Sequence, residues 1–316
     1  MNIDILDAKT LGFDISFDNF KKYGNVNVFD MTSPEQVAKR IEYSDIIIIN
    51  KIKLNESNLS CCKNLKLICI AATGFDNVDI EYCRLNNIAV CNVIGYSTHC
   101  VAQVTVSMVL SLINHLVEYD RSVKDMTYTF GKVQNILKPV YHELYGKTWG
   151  IVGAGNIGGQ VAKIAKAFGC NVIVYKKNES VEYNCVDLKQ LMSQSDIITI
   201  HLPLNENTRN IISKDMISLA KKSAIIVNVS RGAVWDEEAV ADALINNRIS
   251  AIGCDVYSVE PMQENHPFIK LVEYDNVCLT PHMAWGSYES RMRCMDEIAN
   301  NIEMFLSGLK HNRVDI

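Results

Sequence analysis

The chain has 316 residues, 48% of them apolar and 21% charged, with a formal net charge of -5; this is enough apolar material for sizeable cores, and the length suggests about two domains. An acidic balance without a dense basic patch excludes a general affinity for nucleic acid, and no apolar run reaches membrane-spanning length. Met1-Asn2-Ile3-Asp4 carries neither the basic nor the apolar part of a secretory signal, so a cytoplasmic protein with no membrane partner is expected.

In chain order, short apolar runs alternate with amphipathic segments. Ile3 to Leu6, Val26 to Phe29, Ile46 to Ile49, Leu67 to Ile70 and Ile88 to Cys91 read as strands. Between them Phe17 to Lys22, Pro34 to Glu42, Glu56 to Cys62 and Ile80 to Leu85 read as helices, with Ser33 as N-cap and Pro34 in the first turn of the second. Near-continuous apolar strands alternating with helices predict a parallel sheet covered on both faces. Two loops follow strand ends, Asn50-Lys51 and Ala72-Thr73-Gly74. Ligands collect outside the carboxyl ends of such strands, so amides near Thr73 and Gly74 could take a small carboxylate; from this half alone an ordinary glycine turn explains them equally well.

Gly95 to Thr98 break the pattern before one long helical stretch, Cys100 to Tyr119, read as a link between domains. A polar-leaning arm, Asp120 to Tyr145, delays the next strand. The chain is then organised around Gly150-Ile151-Val152-Gly153-Ala154-Gly155-Asn156-Ile157-Gly158. An apolar strand precedes the spacing Gly153, Gly155, Gly158, and a helix from Gln160 to Phe168 follows it. In that context the glycines allow a tight turn, close approach of backbone to a pyrophosphate, and close packing of helix on strand. Asn156 and Ile157 lie in the turn, whose amides face the anion. Strands at Gly150–Val152, Val172–Tyr175, Ile197–Ile200, Ala224–Asn228, Ala251–Cys254 and Val277–Leu279 complete a six-strand dinucleotide-binding pattern. Helices are predicted at Asp187 to Ser193, Ser213 to Ala220, Asp236 to Ile245 and Tyr288 to Leu306, the last crossing back to the first half. The expected fold class is α/β, with two doubly wound parallel-sheet domains: a Rossmann cofactor domain over 98–286, and a discontinuous, flavodoxin-like substrate domain over 1–97 and 287–316.

Three polar groups fall at successive strand ends of the second half: Arg231, Glu260 and His282. Their chemistry suits reduction of a 2-oxo acid by a nicotinamide. His282 can give a proton to the developing alkoxide, and Glu260 beside it favours the protonated ring. Arg231 can hold the substrate carboxylate and polarise the carbonyl through its planar fork. The 11 cysteines, odd in number and without C-x-x-C spacing, read as buried free thiols of a reducing compartment. No metal site is expected.

These segments resemble the D-isomer-specific 2-hydroxyacid dehydrogenase family along essentially the whole chain. Asn228-Val229-Ser230-Arg231-Gly232, Asp255-Val256-Tyr257-Ser258-Val259-Glu260-Pro261 and Thr280-Pro281-His282 match its three catalytic segments. The resemblance implies that Arg231, Glu260 and His282 are catalytic. It also places His201, Pro203 and Thr208 in a cofactor-lining loop, Val229 and Asp255 against the nicotinamide end, and Thr73-Gly74 on the substrate carboxylate. Cys91 to Thr98, His282-Met283-Ala284-Trp285 and Asn50-Lys51 are similar to the glycerate dehydrogenase/hydroxypyruvate reductase branch; this implies substrate contacts from Lys51 and Trp285, and hydroxypyruvate or glyoxylate as substrate. Phosphoglycerate dehydrogenases commonly add a regulatory extension, and a formate dehydrogenase would have Gln at position 260.

One departure from the pattern concerns the cofactor. An acid normally ends the second cofactor-domain strand to bond the ribose 2′-OH, whereas here Tyr175 is followed by Lys176-Lys177. Two cations in that place predict NADP as the preferred cofactor, with NAD possible. The long helix and arm predict a homodimer, as the resemblance also implies. Two alternatives stand: a reductase of a bulkier acid such as 2-oxoisocaproate, and a non-catalytic NAD(P)-sensing scaffold like the C-terminal-binding-protein corepressors. The absence of a long disordered tail favours the enzyme.

Overall fold

A computed structural model describes residues 1–177 and 181–316. The chain divides into two units, Met1–Ser97 with Gly286–Ile316, and Thr98–Trp285. In the first, β1 (Asn2–Ile5), β2 (Asn25–Val28), α1 (Pro34–Ile41), β3 (Ile46–Ile49), α2 (Glu56–Leu59), β4 (Leu67–Ile70), α3 (Ile80–Leu85) and β5 (Ala89–Cys91) follow in turn. The strands pair in parallel in the order β2-β1-β3-β4-β5, the doubly wound flavodoxin-like arrangement. β3 is four consecutive isoleucines and every one is fully buried. A strand apolar on both faces is stable only with helices above and below it. The segment expected as a helix over Phe17 to Lys22 is instead a 3₁₀ helix, Asp18–Tyr23. Only Phe20 is buried there, and one apolar contact is too little to sustain regular α-helix.

The second unit contains α4 (Thr98–Asn114), α5 (Leu116–Lys124), α6 (Thr127–Gly131), β6 (Thr148–Val152), α7 (Asn156–Ala167), β7 (Asn171–Tyr175), β8 (Asn184–Cys185), α8 (Leu188–Gln194), β9 (Ile197–Ile200), α9 (Lys214–Ser218), β10 (Ile225–Asn228), α10 (Glu237–Ile245), β11 (Ala251–Cys254) and β12 (Val277–Leu279). Its strands are all parallel in the order β8-β7-β6-β9-β10-β11-β12. This is the dinucleotide-binding order with one strand added at the far edge. β8, a seventh strand, was not expected: at two residues, one of them exposed, it is too short for any periodicity. The order reverses between β6 and β9, and the crevice outside their carboxyl ends is where such sheets bind ligands.

The expected single helix from Cys100 to Tyr119 is two helices. His115 adopts a left-handed conformation (φ 51°) with its Nδ1 2.7 Å from Glu118 Oε1, and the helix axes turn by 61° there. Nor is α4 merely a link. Val101, Ala102, Val106 and Val109 pack in one core with Trp149, Ile151 and Val227, so α4 covers the sheet of its own unit. The arm from Asp120 to Tyr145 was expected to lean polar, yet its Val123, Phe130, Leu137 and Val140 are each more than half exposed.

The chain returns to the first unit through α11 (Tyr288–Leu306). Asn301 Nδ2 donates to the Asn92 carbonyl at 2.9 Å, and Arg293 Nε to the Tyr96 carbonyl at 3.1 Å. The tail then satisfies the outer edge of β5: Val314 N–H donates to the Val90 carbonyl at 2.9 Å and Val90 N–H to Asp315 Oδ1 at 2.8 Å.

All 11 cysteines are free thiols. Burial pushes Cys62 up to about 12, Cys91 and Cys170 up to about 11, and Cys254 well above its usual value.

Candidate active site

The turn after β6 is shaped by what its glycines leave out. Gly153 has φ +94°, and a Cβ there would sit 3.0 Å from the His201 carbonyl. A Cβ on Gly158 would lie 2.0 Å from the Gly153 carbonyl oxygen, so α7 can meet the turn only without a side chain. A Cβ on Gly155 would meet nothing within 4 Å, which marks open space above the helix start. Gly155 is also the N-cap of α7 and has no side chain to satisfy the first amides, those of Asn156, Ile157 and Gly158. His201, just beyond β9, has both ring nitrogens shut off from solvent with no partner among the described residues. Burial lowers its pKa to about 3, so the ring is neutral. An open anion cradle beside an unpartnered imidazole fits a dinucleotide.

The other residues expected to line the cofactor belong to the same unit. Thr208 Oγ1 donates to the Pro203 carbonyl at 2.5 Å and accepts from Asn205 N–H at 2.8 Å, so its hydroxyl shapes the loop from within. Val229 is buried directly after β10. Lys176 is half-buried at the end of β7, its ammonium 6.0 Å from the centroid of the Tyr183 ring. Tyr183 Oη would touch a Cβ on Gly159 at 3.0 Å, which places Lys176 near the start of α7. Lys177 is exposed.

Arg231 follows β10 on a loop knotted by Asn228. Ser230 N–H and hydroxyl donate to Asn228 Oδ1 at 3.0 and 2.9 Å, and Asn228 Nδ2 donates to the Arg231 carbonyl at 3.0 Å. Glu260 follows β11; its Oε1 accepts from Tyr257 N–H at 3.1 Å and its Oε2 lies 2.6 Å from His282 Nδ1. That bond commits Nδ1 to the carboxylate and leaves Nε2 to meet a substrate.

His282 has φ +54°, a conformation rare for a residue with a Cβ. Asp255 holds it there. Its Oδ1 accepts from Thr280 Oγ1 at 2.6 Å and Met283 N–H at 2.9 Å, and its Oδ2 from Ala284 N–H at 3.0 Å. Burial raises the Asp255 carboxyl, and these donors act against that shift. Asp255 is buried, at 1% exposure, and organises the loop that carries His282. Trp285 is partly buried against the core beneath, its carbonyl accepting from Cys100 Sγ at 3.2 Å.

Lys51, Thr73 and Gly74 belong to the first unit. Thr73 Oγ1 donates to the Val93 carbonyl at 2.7 Å, and Asn77 Nδ2 joins this loop to the other through the Ile52 carbonyl at 2.8 Å. Asp7, which sequence reasoning passed over, accepts from the N–H groups of Asn50, Lys51 and Ile52 at 2.9, 2.6 and 3.3 Å. Its only signal is an acid just past the carboxyl end of β1. Among the described residues no cluster of His, Cys, Asp or Glu is placed to hold a metal ion.

Residues 106–284 match the family model described as the D-isomer specific 2-hydroxyacid dehydrogenase, NAD binding domain. The chain belongs to this family. It is 35% identical over 324 residues to the hydroxypyruvate reductase of Blautia hydrogenotrophica, covering 100% of both chains. To the glycerate dehydrogenase of Methylorubrum extorquens it is 31% identical over 310 residues, covering 98% of this chain and 96% of the relative. Among solved structures, the acyclic imino acid reductase Bsp5 in complex with NADPH and D-Arg superposes with a TM-score of 0.88 at 30% identity, covering 99% of this chain and 100% of that one. The protein is thus a D-isomer-specific 2-hydroxyacid dehydrogenase of the glycerate dehydrogenase/hydroxypyruvate reductase branch, with an NAD-binding domain.

His201 gives this dehydrogenase a specific pH response. Its pKa falls from about 6.5 in the unfolded chain to about 3 when folded, so the unfolded state binds the extra proton. The stability that His201 supports is therefore complete above pH 6.5 and is lost as pH falls toward 3. Between pH 6.5 and 5 the loss is at most about 2 kcal/mol. Urea midpoints at pH 7 and 5 should differ less in His201→Leu than in the wild type; an equal difference would assign the acid sensitivity elsewhere.

Proposed function

We propose that the enzyme reduces a small 2-oxo acid, hydroxypyruvate or glyoxylate, to the D-2-hydroxy acid, with NADPH preferred over NADH. The observation that carries this reading is the 2.6 Å contact between His282 Nδ1 and Glu260 Oε2, in the domain that bears the glycine turn. The nicotinamide, when bound, supplies the hydride. Arg231 holds the substrate carboxylate and draws charge onto the carbonyl oxygen. His282 Nε2 gives its proton to the alkoxide as that charge develops, and Glu260 stabilises the protonated ring. The amides of Asn156, Ile157 and Gly158 hold the pyrophosphate. Hydroxypyruvate is favoured by the names of the relatives and by the Asn50-Lys51 and His282-Trp285 segments.

Lys176 carries the cofactor preference. A 2′-phosphate is close to doubly charged, and charge-assisted bonds to it are stronger than neutral ones. Partial exposure and salt temper the gain. The homodimer is supported by the apolar surface of α5, α6 and the arm after them, since a large exposed apolar patch marks an association site. A cytoplasmic location is part of the same reading.

Three outcomes test it. With a panel of glyoxylate, hydroxypyruvate, pyruvate and 2-oxoisocaproate, NAD(P)H absorbance should report turnover of the first two most efficiently, and His282→Ala should lower kcat about 10²–10⁴-fold while cofactor binding persists. Near wild-type turnover in that variant would remove His282 as proton donor. The ratio of kcat/KM for NADPH over NADH should be about tenfold to a hundredfold, or roughly 1.4–2.8 kcal/mol, and Lys176→Asp should invert it; a wild-type preference for NADH would return both lysines to the solvated surface. Light scattering at micromolar concentration should give twice the chain mass, and a monomer would refute the assembly.

A further inference from the structure

Below the catalytic loops lies a second carboxylate–imidazole pair that the reaction does not use. Glu237, the first residue of α10, has its Oε2 3.1 Å from His266 Nε2, and both side chains are almost completely buried. The His266 tautomer is fixed by its surroundings: Phe268 N–H donates to Nδ1 at 3.1 Å, so the neutral ring carries its proton on Nε2, facing Glu237. The ring is wedged edge-on between Tyr257 and Phe268, at centroid distances of 5.6 and 5.0 Å. The remaining capacity of Glu237 points at the catalytic segment. Its Oε1 accepts from Ser258 N–H at 2.9 Å and its Oε2 from the Ser258 hydroxyl at 2.5 Å.

Ser258 adjoins Tyr257, whose N–H holds Glu260 Oε1 at 3.1 Å. Two further contacts confine this backbone. A Cβ on Gly232 would lie 2.1 Å from Ser258 N and from the Tyr257 carbonyl carbon, and Tyr257 Oη donates to the Thr280 carbonyl at 3.0 Å. The 256–260 turn is therefore clamped between the Arg231 loop, the His282 loop and Glu237.

We propose that Glu237, packed against His266, is a positioning residue that sets Glu260 at hydrogen-bonding distance from His282. The inference rests on the reading of His282 and Glu260 as the proton-transfer pair. A carboxylate suits position 237 better than an amide. Ser258 donates to both of its oxygens, the N–H to Oε1 and the hydroxyl to Oε2, while His266 Nε2 lies 3.1 Å from Oε2 as a buried ion-pair contact without hydrogen-bond geometry. An amide accepts at one oxygen only, so the second bond to Ser258 survives only if the hydroxyl rotates to accept from the NH₂ group, and that group is then turned against the His266 Nε2–H. Glu237→Gln should thus push the Ser258 turn away and carry Glu260 with it. A displacement near 1 Å can cost about 10²-fold in rate.

The test pairs steady-state kinetics with a readout independent of turnover, the far-downfield ¹H NMR resonance of the proton bridging His282 Nδ1 and Glu260, assigned by its loss in His282→Gln. In Glu237→Gln, kcat should fall about tenfold to a hundredfold, KM for NADPH should stay within about twofold because the glycine turn is untouched, and the resonance should vanish or broaden. If that variant does not fold, Glu237→Asp decides in its place: charge is kept, the carboxylate withdraws by one methylene, and kcat and the resonance should both decline. Wild-type kcat with an intact resonance in the folded variant overturns the proposal, as does a wild type lacking the resonance. A wild type that turns over no 2-oxo acid, yet loses the resonance in Glu237→Gln, keeps the positioning pair and defeats the catalytic reading instead.

Discussion

The placing of His282 depends on one buried carboxylate. A left-handed backbone at a residue with a Cβ costs roughly 1–2 kcal/mol, and His282 occupies it at φ +54°. Asp255 offsets that cost by accepting from Thr280 Oγ1, Met283 N–H and Ala284 N–H, groups on both sides of His282. Hydrogen bonds to a charged acceptor contribute about 1.5–3 kcal/mol each, so three of them outweigh both the strained residue and part of the desolvation. The loop is folded around the acid, and the imidazole is presented as a result. Strand pairing makes this possible: β11 and β12 are parallel neighbours, so Asp255 at the end of one reaches the residues just beyond the other.

Both sheets obey the same geometric rule with different strand orders. In the first unit the loops after β3 and β4 gather at one end of the sheet, held by Asp7 and Asn77. In the second, the turn after β6 and the loops after β9, β10, β11 and β12 gather likewise. Parallel pairing sends every carboxyl end to one side, so residues far apart in sequence share a rim without direct pairing between them.

This explains what could be read from the residues and what could not. β3, four isoleucines in a row, and the Gly153-Gly155-Gly158 spacing announce themselves because each is a local pattern with a local cause. Arg231, Glu260 and His282 were legible as polar residues after apolar strands. β8 was not, because a two-residue edge strand has no periodicity. The break at His115 was invisible because the residues on both sides favour helix, and one left-handed residue separates them. The organising roles of Asp7, Asp255 and Glu237 escaped for a different reason. Each binds donors 21 to 45 residues away, and nothing in the local sequence of an acid records which distant amides it will meet. The sharpest case is Asp255: its family segment was recognised, but its partners follow from the register of β11 on β12.

The thiols carry a consequence of their own. With Cys91 and Cys170 raised to about 11 and Cys62 to about 12, only about one molecule in ten thousand or fewer presents a thiolate at any of these positions near neutral pH. Peroxides and alkylating reagents attack the thiolate. Cys254 lies immediately before Asp255 and is fully buried, so oxidation there would put a polar, bulkier group beneath the acid that shapes the His282 loop. Burial shields that cysteine twice over, by excluding the reagent and by keeping the proton on sulfur. The same packing that makes the sheets thereby gives the active-site loops a chemical resistance that their own residues do not supply.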